Sequence, residues 1–193
     1  MTELHGMVDV ETTGFDPQCN AVIQFALTSF TINGTILLPD ISINVFPQMP
    51  TLVKRWNKQT KQFHIDHNTV ALKNLRYGTF TQYQWDVREI ATKINDIKRA
   101  AKVDTIWFWC NHTHFDWPFV EQMFNEAGIC NPFKYNYTMD LSSYVRGLIK
   151  AANSNRSYSD VQRMVNLKGN AHDAAFDVKY QLEILRTALR LFK

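Results

Sequence analysis

Three short stretches of the sequence place carboxylates and a histidine at spacings that could do chemistry. The first, DVETTG, spans residues 9–14 and belongs to a strand-like run that begins at Met7. Side chains alternate between the two faces of a β-strand, so Asp9 and Glu11 point to one side while Val10 points to the other. Two neighbouring anions repel each other, and either a bound cation or full exposure to solvent would relieve that repulsion.

The second stretch, CNHTHFDWPF, covers residues 110–119 and contains Asp116 where an apolar strand ends. Functional residues concentrate at the carboxyl ends of strands in open α/β sheets. A simpler interpretation is that Asp116 caps the following helix. A third is a zinc site, because His112, His114 and Asp116 resemble the H-x-H-x-D-H run of metallo-β-lactamase-like hydrolases. The last histidine of that run is Trp117 here, which leaves too few ligands for two zinc ions.

The third stretch is GNAHDAAFDVKYQ, residues 169–181. His172 and Asp177 are five residues apart, about 140° around an ideal α-helix, so they cannot share one helical face. If they meet at one site, Asp177 must lie in the helix and His172 must precede its first turn. Taken singly, His172 could be an ordinary loop residue and Asp177 a solvated helix position.

Together the three stretches predict a metal site. Four acidic residues at a strand, a strand end and the start of the last helix can meet above one edge of a sheet, and buried anions in such number require cations. They are Asp9, Glu11, Asp116 and Asp177. Ligands that are all oxygen favour Mg²⁺ or Mn²⁺ over zinc, and two such ions are the arrangement that cleaves phosphodiesters. A neutral His172 nearby could take a proton from the attacking water.

Hydrophobic periodicity predicts the elements that would position these residues. An antiparallel meander comes first, with a hairpin turn at Asn33-Gly34, and helices then alternate with a short buried strand. A capping box is predicted at Thr81 and Gln84, and Pro118 and Gly128 suit the first turn and the exit of one helix. The predicted strands are 7–11, 22–32, 35–46 and 104–110, and the predicted helices are 51–60, 81–101, 117–127, 141–152, 159–165 and 173–192. This order predicts an α/β fold, a ribonuclease H-like three-layer α/β/α arrangement with a mixed five-stranded sheet of antiparallel meander and parallel strands.

Composition predicts one domain over residues 1–193, with 45% apolar residues and a mean hydropathy of −0.28. No apolar run approaches the roughly 20 residues that span a bilayer, and the N-terminus does not resemble a secretory signal. The widely spaced Cys19, Cys110 and Cys130 predict free thiols in a reducing cytoplasm. A net charge of +3 is compatible with nucleic acid but too weak to predict it.

Three motifs in order resemble those of the DEDDh-type 3′–5′ exonucleases, the DnaQ-like branch of the ribonuclease H-like superfamily. Residues 9–14 match D-x-E-T-T-G, residues 111–116 match N-x3-[FY]-D, and residues 172–177 match H-x4-D. The sister class has Y-x3-D as its third motif, and Asp173 occupies the tyrosine position here, which favours the histidine class. Residues 51–60 resemble the Trp-x-x-Gln helix of phage exonuclease A (DexA-type) and of the Rv2179c-like exoribonucleases.

The resemblance implies an enzyme that removes 5′-mononucleotides from the 3′ end of single-stranded DNA or RNA, with two Mg²⁺ or Mn²⁺ ions. It implies that Asp9, Glu11, Asp116 and Asp177 hold the metals and that His172 is the general base. It further implies a cytoplasmic protein, with a phage-encoded one in a host cytoplasm as one version, and no membrane or obligatory protein partner. The implied substrate-binding residues are Thr12, Thr13, Gly14, Asn111, Phe115, Trp56 and Gln59. Trp56 fits an apolar core equally well, and the choice between DNA and RNA stays open.

Two other functions remain open at this point. A nucleic-acid-binding module with weak or no catalysis would keep the same fold, although all five implied catalytic positions are filled. A phosphatase of the haloacid-dehalogenase type is suggested by the spacing of Asp9, Glu11 and Thr13. That chemistry requires a second aspartate at Glu11 and a downstream lysine with an acidic pair, for which the sequence has no convincing candidate.

Overall fold

A mixed five-stranded sheet forms the centre of the molecule, in the strand order β3-β2-β1-β6-β7. The computed structural model describes residues 3–33, 36–50 and 55–192. The strands are β1 (His5–Thr12), β2 (Val22–Asn33), β3 (Ile36–Val45), β4 (Met49–Pro50), β5 (Tyr77–Gly78), β6 (Trp107–Cys110) and β7 (Thr138–Asp140). β1, β2 and β3 pair antiparallel, whereas β6 pairs parallel with both β1 and β7. β4 and β5 form a separate two-stranded parallel sheet.

Helices cover both faces of the large sheet. They are α1 (Lys58–Asp66), α2 (Val70–Lys73), α3 (Phe80–Ala100), α4 (Thr113–Ala127), α5 (Leu141–Ala151), α6 (Tyr158–Met164) and α7 (Ala174–Phe192). Val8 and Val10 of β1 pack into one core with α3 and α4. Met7 of the same strand packs into a second core with α5, α6 and α7. The alternation of side chains along β1 therefore separates two helical layers, and the predicted α/β/α fold with its mixed sheet is confirmed.

Three predicted helix starts need correction, those of α3, α1 and α4. The capping box of α3 is formed by Thr79 and Gln82, two residues before the predicted pair, so Thr81 lies inside the helix. The helix predicted from residue 51 begins only at Lys58, because Asn57 is its N-cap and accepts from the N–H groups of Gln59 and Thr60. Residues 51–54 of that prediction lie outside the described residues, as do Gly34 of the predicted hairpin turn and residue 35 of the predicted third strand.

Helix α4 begins at Thr113, four residues before the predicted start at Trp117. The backbone N–H of Thr113 donates to Oδ2 of Asp140 at 3.0 Å, so an acid at the end of β7 satisfies the first turn of α4. Asp140 also caps α5, accepting from the N–H of Ser143. Gly128 ends α4 with a φ of 64°, in the left-handed region that glycine adopts without strain.

Among the described residues, no helix is both long enough and apolar enough to cross a membrane. The three cysteines, all within that part of the chain, form no disulfide with one another.

Candidate active site

Strand β1 presents two acids on its α7-facing side. Asp9 and Glu11 alternate with the core residues Val8 and Val10, as the sequence predicted. The pairing of β1 with β2 is irregular between Glu11 and Thr12, so its register shifts directly after the second acid. Such irregularities bend a strand and redirect its side chains, and they are common next to active sites.

Asp116 is the fourth residue of α4 and is 6% exposed. The alternative in which Asp116 caps this helix is wrong, since the N-cap position belongs to His112, which makes no side-chain cap. The Asp116 carboxyl instead lies close enough to the backbone of Val10 and the side chain of Cys110 for both to lower its pKa. These contacts place the acid beside the carboxylates of β1.

The start of α7 is positioned by a buried glutamine that the sequence did not single out. Gln24, on β2, donates from Nε2 to Oδ1 of Asp173 at 2.7 Å and to Oδ1 of Asn44 at 3.1 Å. Its Oε1 accepts from the N–H of Ala174, the first residue of α7, at 3.3 Å. Gln24 is fully buried, so its amide joins the central sheet to the helix that carries Asp177.

His172 precedes α7 and Asp177 lies within it, as their spacing predicted. The N–H of His172 donates to Oδ2 of Asp177 at 3.1 Å. His172 has a φ of 63°, a left-handed conformation that costs free energy for a residue other than glycine. Strained backbone of this kind is often found at functional sites, and here it brings the imidazole to the carboxylates.

One cavity of about 400 Å³ collects all five residues. Its lining includes the four acids and the histidine that the motifs predicted, which are Asp9, Glu11, Asp116, Asp177 and His172. Asn111 and Phe115 of the second motif also line it. The three motifs, far apart in the chain, therefore share one cavity.

Burial raises the pKa of every acid in this cavity. The pKa of Asp9 lies well above its usual range because of burial, to which the charges of Asp116, Glu11 and Asp177 add. Burial and the neighbouring acids raise the pKa of Glu11 to about 8. Burial raises the pKa of Asp116 to about 7 and that of Asp177 to about 6, against hydrogen bonds that lower both. Without cations the carboxylates thus compete for protons at neutral pH.

A cation fits the donors that face this cavity. One ligand atom each from Glu11, His172 and Asp177 lies within 4.8 Å of the others, close enough to share an ion. Gln181 donates from Nε2 to Oδ1 of Asp9 at 2.8 Å, and its Oε1 is buried without a hydrogen-bond partner among the described residues. The oxygen-rich donor set and this unsatisfied oxygen suit hydrated Mg²⁺ or Mn²⁺.

The predicted zinc alternative receives no support from the geometry. The rings of His112 and His114 are 5.7 Å apart at their centroids, and His114 is exposed. Within the described part of the chain these two histidines and Asp116 do not bring ligand atoms together as Glu11, His172 and Asp177 do.

Aromatic and histidine rings surround His172. Its ring centroid lies 4.7 Å from that of Phe63 and 5.4 Å from that of His67. Phe63 belongs to helix α1, and His67 is the C-cap of that helix. Burial lowers the pKa of His172, and the charge of His67 lowers it further. The imidazole is therefore neutral at physiological pH and able to accept a proton.

A second pocket of about 400 Å³ adjoins the acidic cavity and shares Val10, Glu11 and Phe115 with it. Its rings come from Phe15, Phe63 and Phe115, and Thr12 and Gln59 also line it. Phe15 is 66% exposed although it is a large apolar residue. Phe15 and Phe63 were not predicted from the sequence, where the one available signal was that Phe15 directly follows the first motif.

Three of the predicted substrate-binding residues make structural contacts within the fold, and their contact with substrate stays a prediction. Thr13 is fully buried, and its hydroxyl donates to the carbonyl of Arg55 and accepts from the N–H of Ala21. A Cβ atom at Gly14 would meet the Asn20 side chain at 2.3 Å, so this glycine permits close packing. Trp56 packs against an apolar cluster beside β4 and donates to the hydroxyl of Tyr77 at 3.3 Å. These contacts agree with the core role of Trp56, and its contact with substrate stays a prediction.

Several nucleases are among the solved structures with similar folds. The nuclease domain of 3′hExo, a DEDDh family member, bound to rAMP aligns with a TM-score of 0.65 at 14% identity, covering 98% of this chain and 92% of that chain. Cell-death related nuclease 4 (CRN-4) aligns with a TM-score of 0.67 at 17% identity, covering 98% of this chain and 64% of that chain. The zinc-bound form of the E. coli ExoI–ssDNA complex aligns with a TM-score of 0.64 at 14% identity, covering 94% of this chain but only 39% of that chain. The chain therefore has the ribonuclease H-like fold of the DEDDh exonucleases.

The family follows from the sequence as well. The model of the 3′-5′ exoribonuclease Rv2179c-like domain matches residues 4–189, so the chain belongs to the Rv2179c-like 3′–5′ exoribonuclease family. The predicted resemblance to the Rv2179c-like proteins is therefore confirmed. The resemblance to DexA-type exonucleases stays a prediction. No curated protein sequence matches the chain.

Proposed function

We propose that the protein is a metal-dependent 3′–5′ exonuclease that shortens single-stranded nucleic acid one nucleotide at a time and releases 5′-mononucleotides. The observation that carries this proposal is the cavity in which four acids with raised pKa values meet a histidine with a lowered one. Such opposed shifts are typical of catalytic sites, and cations are what a buried anionic cluster requires.

In this proposal Asp9, Glu11, Asp116 and Asp177 hold two divalent ions, which would supply Lewis-acid stabilisation of the attacking and leaving oxygens. The neutral imidazole of His172 accepts the proton of the attacking water. Gln181 keeps the Asp9 carboxylate oriented through its 2.8 Å hydrogen bond. The left-handed backbone of His172, tied to Asp177, holds the base against the acids.

The neighbouring aromatic pocket would receive the terminal base. Phe15, Phe63 and Phe115 offer apolar ring faces beside the acids, and stacking on aromatic rings stabilises a base by roughly 1–3 kcal/mol without sequence preference. A free 3′ end would place its terminal base in this pocket and its last phosphodiester in the acidic cavity that adjoins it. The fold relatives bound to rAMP and to single-stranded DNA support this choice of substrate.

The test is end-labelled hydrolysis with RNA and DNA, single- and double-stranded, in Mg²⁺ and in Mn²⁺. A 5′-labelled strand should shorten as a ladder, and a 3′-phosphate should slow the reaction strongly. Cutting of a circular single strand as fast as a linear one would contradict an exonuclease. Binding without cleavage in either metal would favour the non-catalytic module, and release of phosphate from a small phosphomonoester would favour the phosphatase.

A further inference from the structure

Positive charge is concentrated in one segment of the chain. Residues 141–172 contain five basic residues and one acid, a net charge of +4, whereas the entire chain carries +3. The rest of the molecule is therefore slightly acidic. This segment forms α5, α6 and the connections that lead to His172.

Most of this charge surrounds a cleft between α5 and α6 of about 420 Å³. Three of its lining residues are cationic and three others are serines, namely Arg146, Lys150, Arg156, Ser154, Ser157 and Ser159. The described residues that line the cleft include no carboxylate. Cationic groups together with hydroxyl donors are the side chains that bind phosphate oxygens.

The one acid of the segment does not neutralise these cations. Asp160 accepts from both the N–H and the hydroxyl of Ser157, at 2.6 and 2.7 Å, and pairs with Arg163. Hydrogen bonds from Ser157 lower the pKa of Asp160 to about 2. Over residues 3–33, 36–50 and 55–192, Arg146, Lys150 and Arg156 form no ion pair, so the cleft keeps its charge.

Two of the cations are already oriented. The Arg146 guanidinium lies 5.8 Å from the ring centroid of Tyr158, a cation–π distance, and Nη1 of Arg156 lies 3.2 Å from the sulfur of Met164. Neither contact cancels a charge. An anion entering the cleft would meet positioned donors, which reduces the entropic cost of binding.

The cleft lies one helical turn from the catalytic cavity. Tyr158 lines the cleft and donates from its hydroxyl to Oδ1 of Asn111 at 2.6 Å, and Asn111 lines the catalytic cavity. Gln162, four residues after Tyr158 on α6, also lines that cavity. Four residues of α-helix span about 6 Å, so a nucleic-acid strand that leaves the catalytic cavity along α6 reaches the cleft within that distance.

We propose that this α5–α6 cleft binds the phosphodiester backbone of the substrate strand, on the 5′ side of the nucleotide held at the acids. The proposal rests on the proposed exonuclease function. The site is independent of base sequence, because it offers charges and hydroxyls rather than groups that read base edges. The three cations of the cleft supply as many as three phosphate contacts, although the net charge of the whole chain is low.

The test compares two variants with equal loss of charge. The cleft variant carries Arg146→Gln, Lys150→Gln and Arg156→Gln, and the control carries Arg88→Gln, Lys93→Gln and Arg99→Gln on α3, in the opposite layer. Each is combined with Asp9→Asn to prevent cleavage in Mg²⁺. Fluorescence anisotropy then gives the affinity for 5′-labelled single strands, from a dinucleotide to a dodecamer, over a range of salt concentrations.

The affinity of the cleft variant should no longer increase with strand length. The slope of its log affinity against log salt should be shallower by about 2 than that of the protein with Asp9→Asn alone, because each phosphate contact on a single strand contributes about 0.7 to that slope. The control should keep both properties. Equal slopes for the two variants would overturn the cleft assignment. A cleft variant that loses binding to phosphatidylserine vesicles but keeps its full affinity for oligonucleotides would also overturn it.

Failure of the proposed function gives a different result. If the unsubstituted protein cleaves no nucleic acid in Mg²⁺ or Mn²⁺ but the two slopes differ as expected, the exonuclease proposal fails and the cleft assignment is supported. If it cleaves and the slopes are equal, the cleft assignment alone fails.

Discussion

The four acids that share one cavity lower the free energy of unfolding of the metal-free protein when their side chains are charged. A carboxylate whose pKa is raised in the folded protein is stabilised there either by a proton or by a cation. Asp9 shows this most clearly, because burial and three neighbouring acids act on it together, while Gln181 supplies one opposing hydrogen bond. A purely structural role would not retain such a group, since its charge weakens the metal-free fold.

Asp9→Asn should therefore abolish cleavage and stabilise the metal-free protein. Asparagine has the shape of a protonated aspartate, so it removes repulsion with Glu11 and Asp116 without creating a cavity. Thermal unfolding in EDTA should show a higher midpoint for the variant, and added Mn²⁺ should raise that midpoint less than it raises the midpoint of the unsubstituted protein. Undiminished turnover of Asp9→Asn in Mg²⁺ would exclude the metal assignment.

His172 could act as a base or as a ligand, because its ring nitrogen lies within sharing distance of Glu11 and Asp177. We expect a base: His172→Ala should lower kcat by about 10²–10⁴-fold and leave Mn²⁺ affinity, measured by calorimetry, nearly unchanged. The acidic limb of the pH–rate profile should also disappear, since only the neutral ring accepts a proton. His114→Ala, at an exposed position of α4, is the control. A large loss of Mn²⁺ affinity would make His172 a ligand.

At the scale of elements, the site depends on how α7 is joined to the sheet. Gln24→Leu keeps an apolar core position filled but removes the hydrogen bonds to Asp173, Asn44 and the N–H of Ala174. Leaving such buried groups unsatisfied should cost about 1–3 kcal/mol in the free energy of unfolding and reduce kcat, because Asp177 and His172 lose their support. Urea unfolding and single-turnover kinetics measure the two effects.

Gln62→Leu is the matched control for that change, since Gln62 is exposed and its amide bonds only Asp66 within α1 among the described contacts. It should leave both the unfolding midpoint and kcat close to those of the unsubstituted protein. Equal effects of the two substitutions would show that Gln24 has no special part in positioning α7.

The elements that the sequence predicted well are those with strong local periodicity. Alternation along β1 predicted which side Asp9 and Glu11 occupy, and the 140° separation predicted that His172 precedes the helix of Asp177. The prediction failed where a distant residue decides the outcome. Helix α4 starts early because Asp140 of β7 accepts from its first N–H, which nothing in the local sequence of α4 reveals.

The same reason explains which site residues were missed. Gln24 and Phe63 reach the site only through tertiary contacts, so their local sequence carries no functional signal. Thr13 lies in the first motif, but its hydroxyl is occupied by backbone groups of Arg55 and Ala21. A motif identifies the positions that matter for a site and does not distinguish those that contact substrate from those that hold the turn.

For the whole molecule, the acidic cavity predicts that stability depends jointly on pH and on divalent metal. Glu11, Asp116 and Asp177 have folded pKa values of about 8, 7 and 6, above the values near 4 of an unfolded chain. Between these limits the folded state binds more protons than the unfolded state, so stability falls as pH rises. In EDTA the urea midpoint should therefore decrease from about pH 4 to about pH 8 as these groups lose their protons.

Saturating Mg²⁺ or Mn²⁺ should remove most of that decrease, because cations neutralise the carboxylates of the folded state and bind the unfolded chain weakly. A monovalent salt at equal ionic strength is the control, and it should restore much less, since screening acts weakly on buried charges. Asp9→Asn should show a smaller decrease in EDTA, because one acid of the cluster no longer titrates. A metal-free profile that is flat over this pH range, or that rises, would show that these acids do not have raised pKa values in the folded protein.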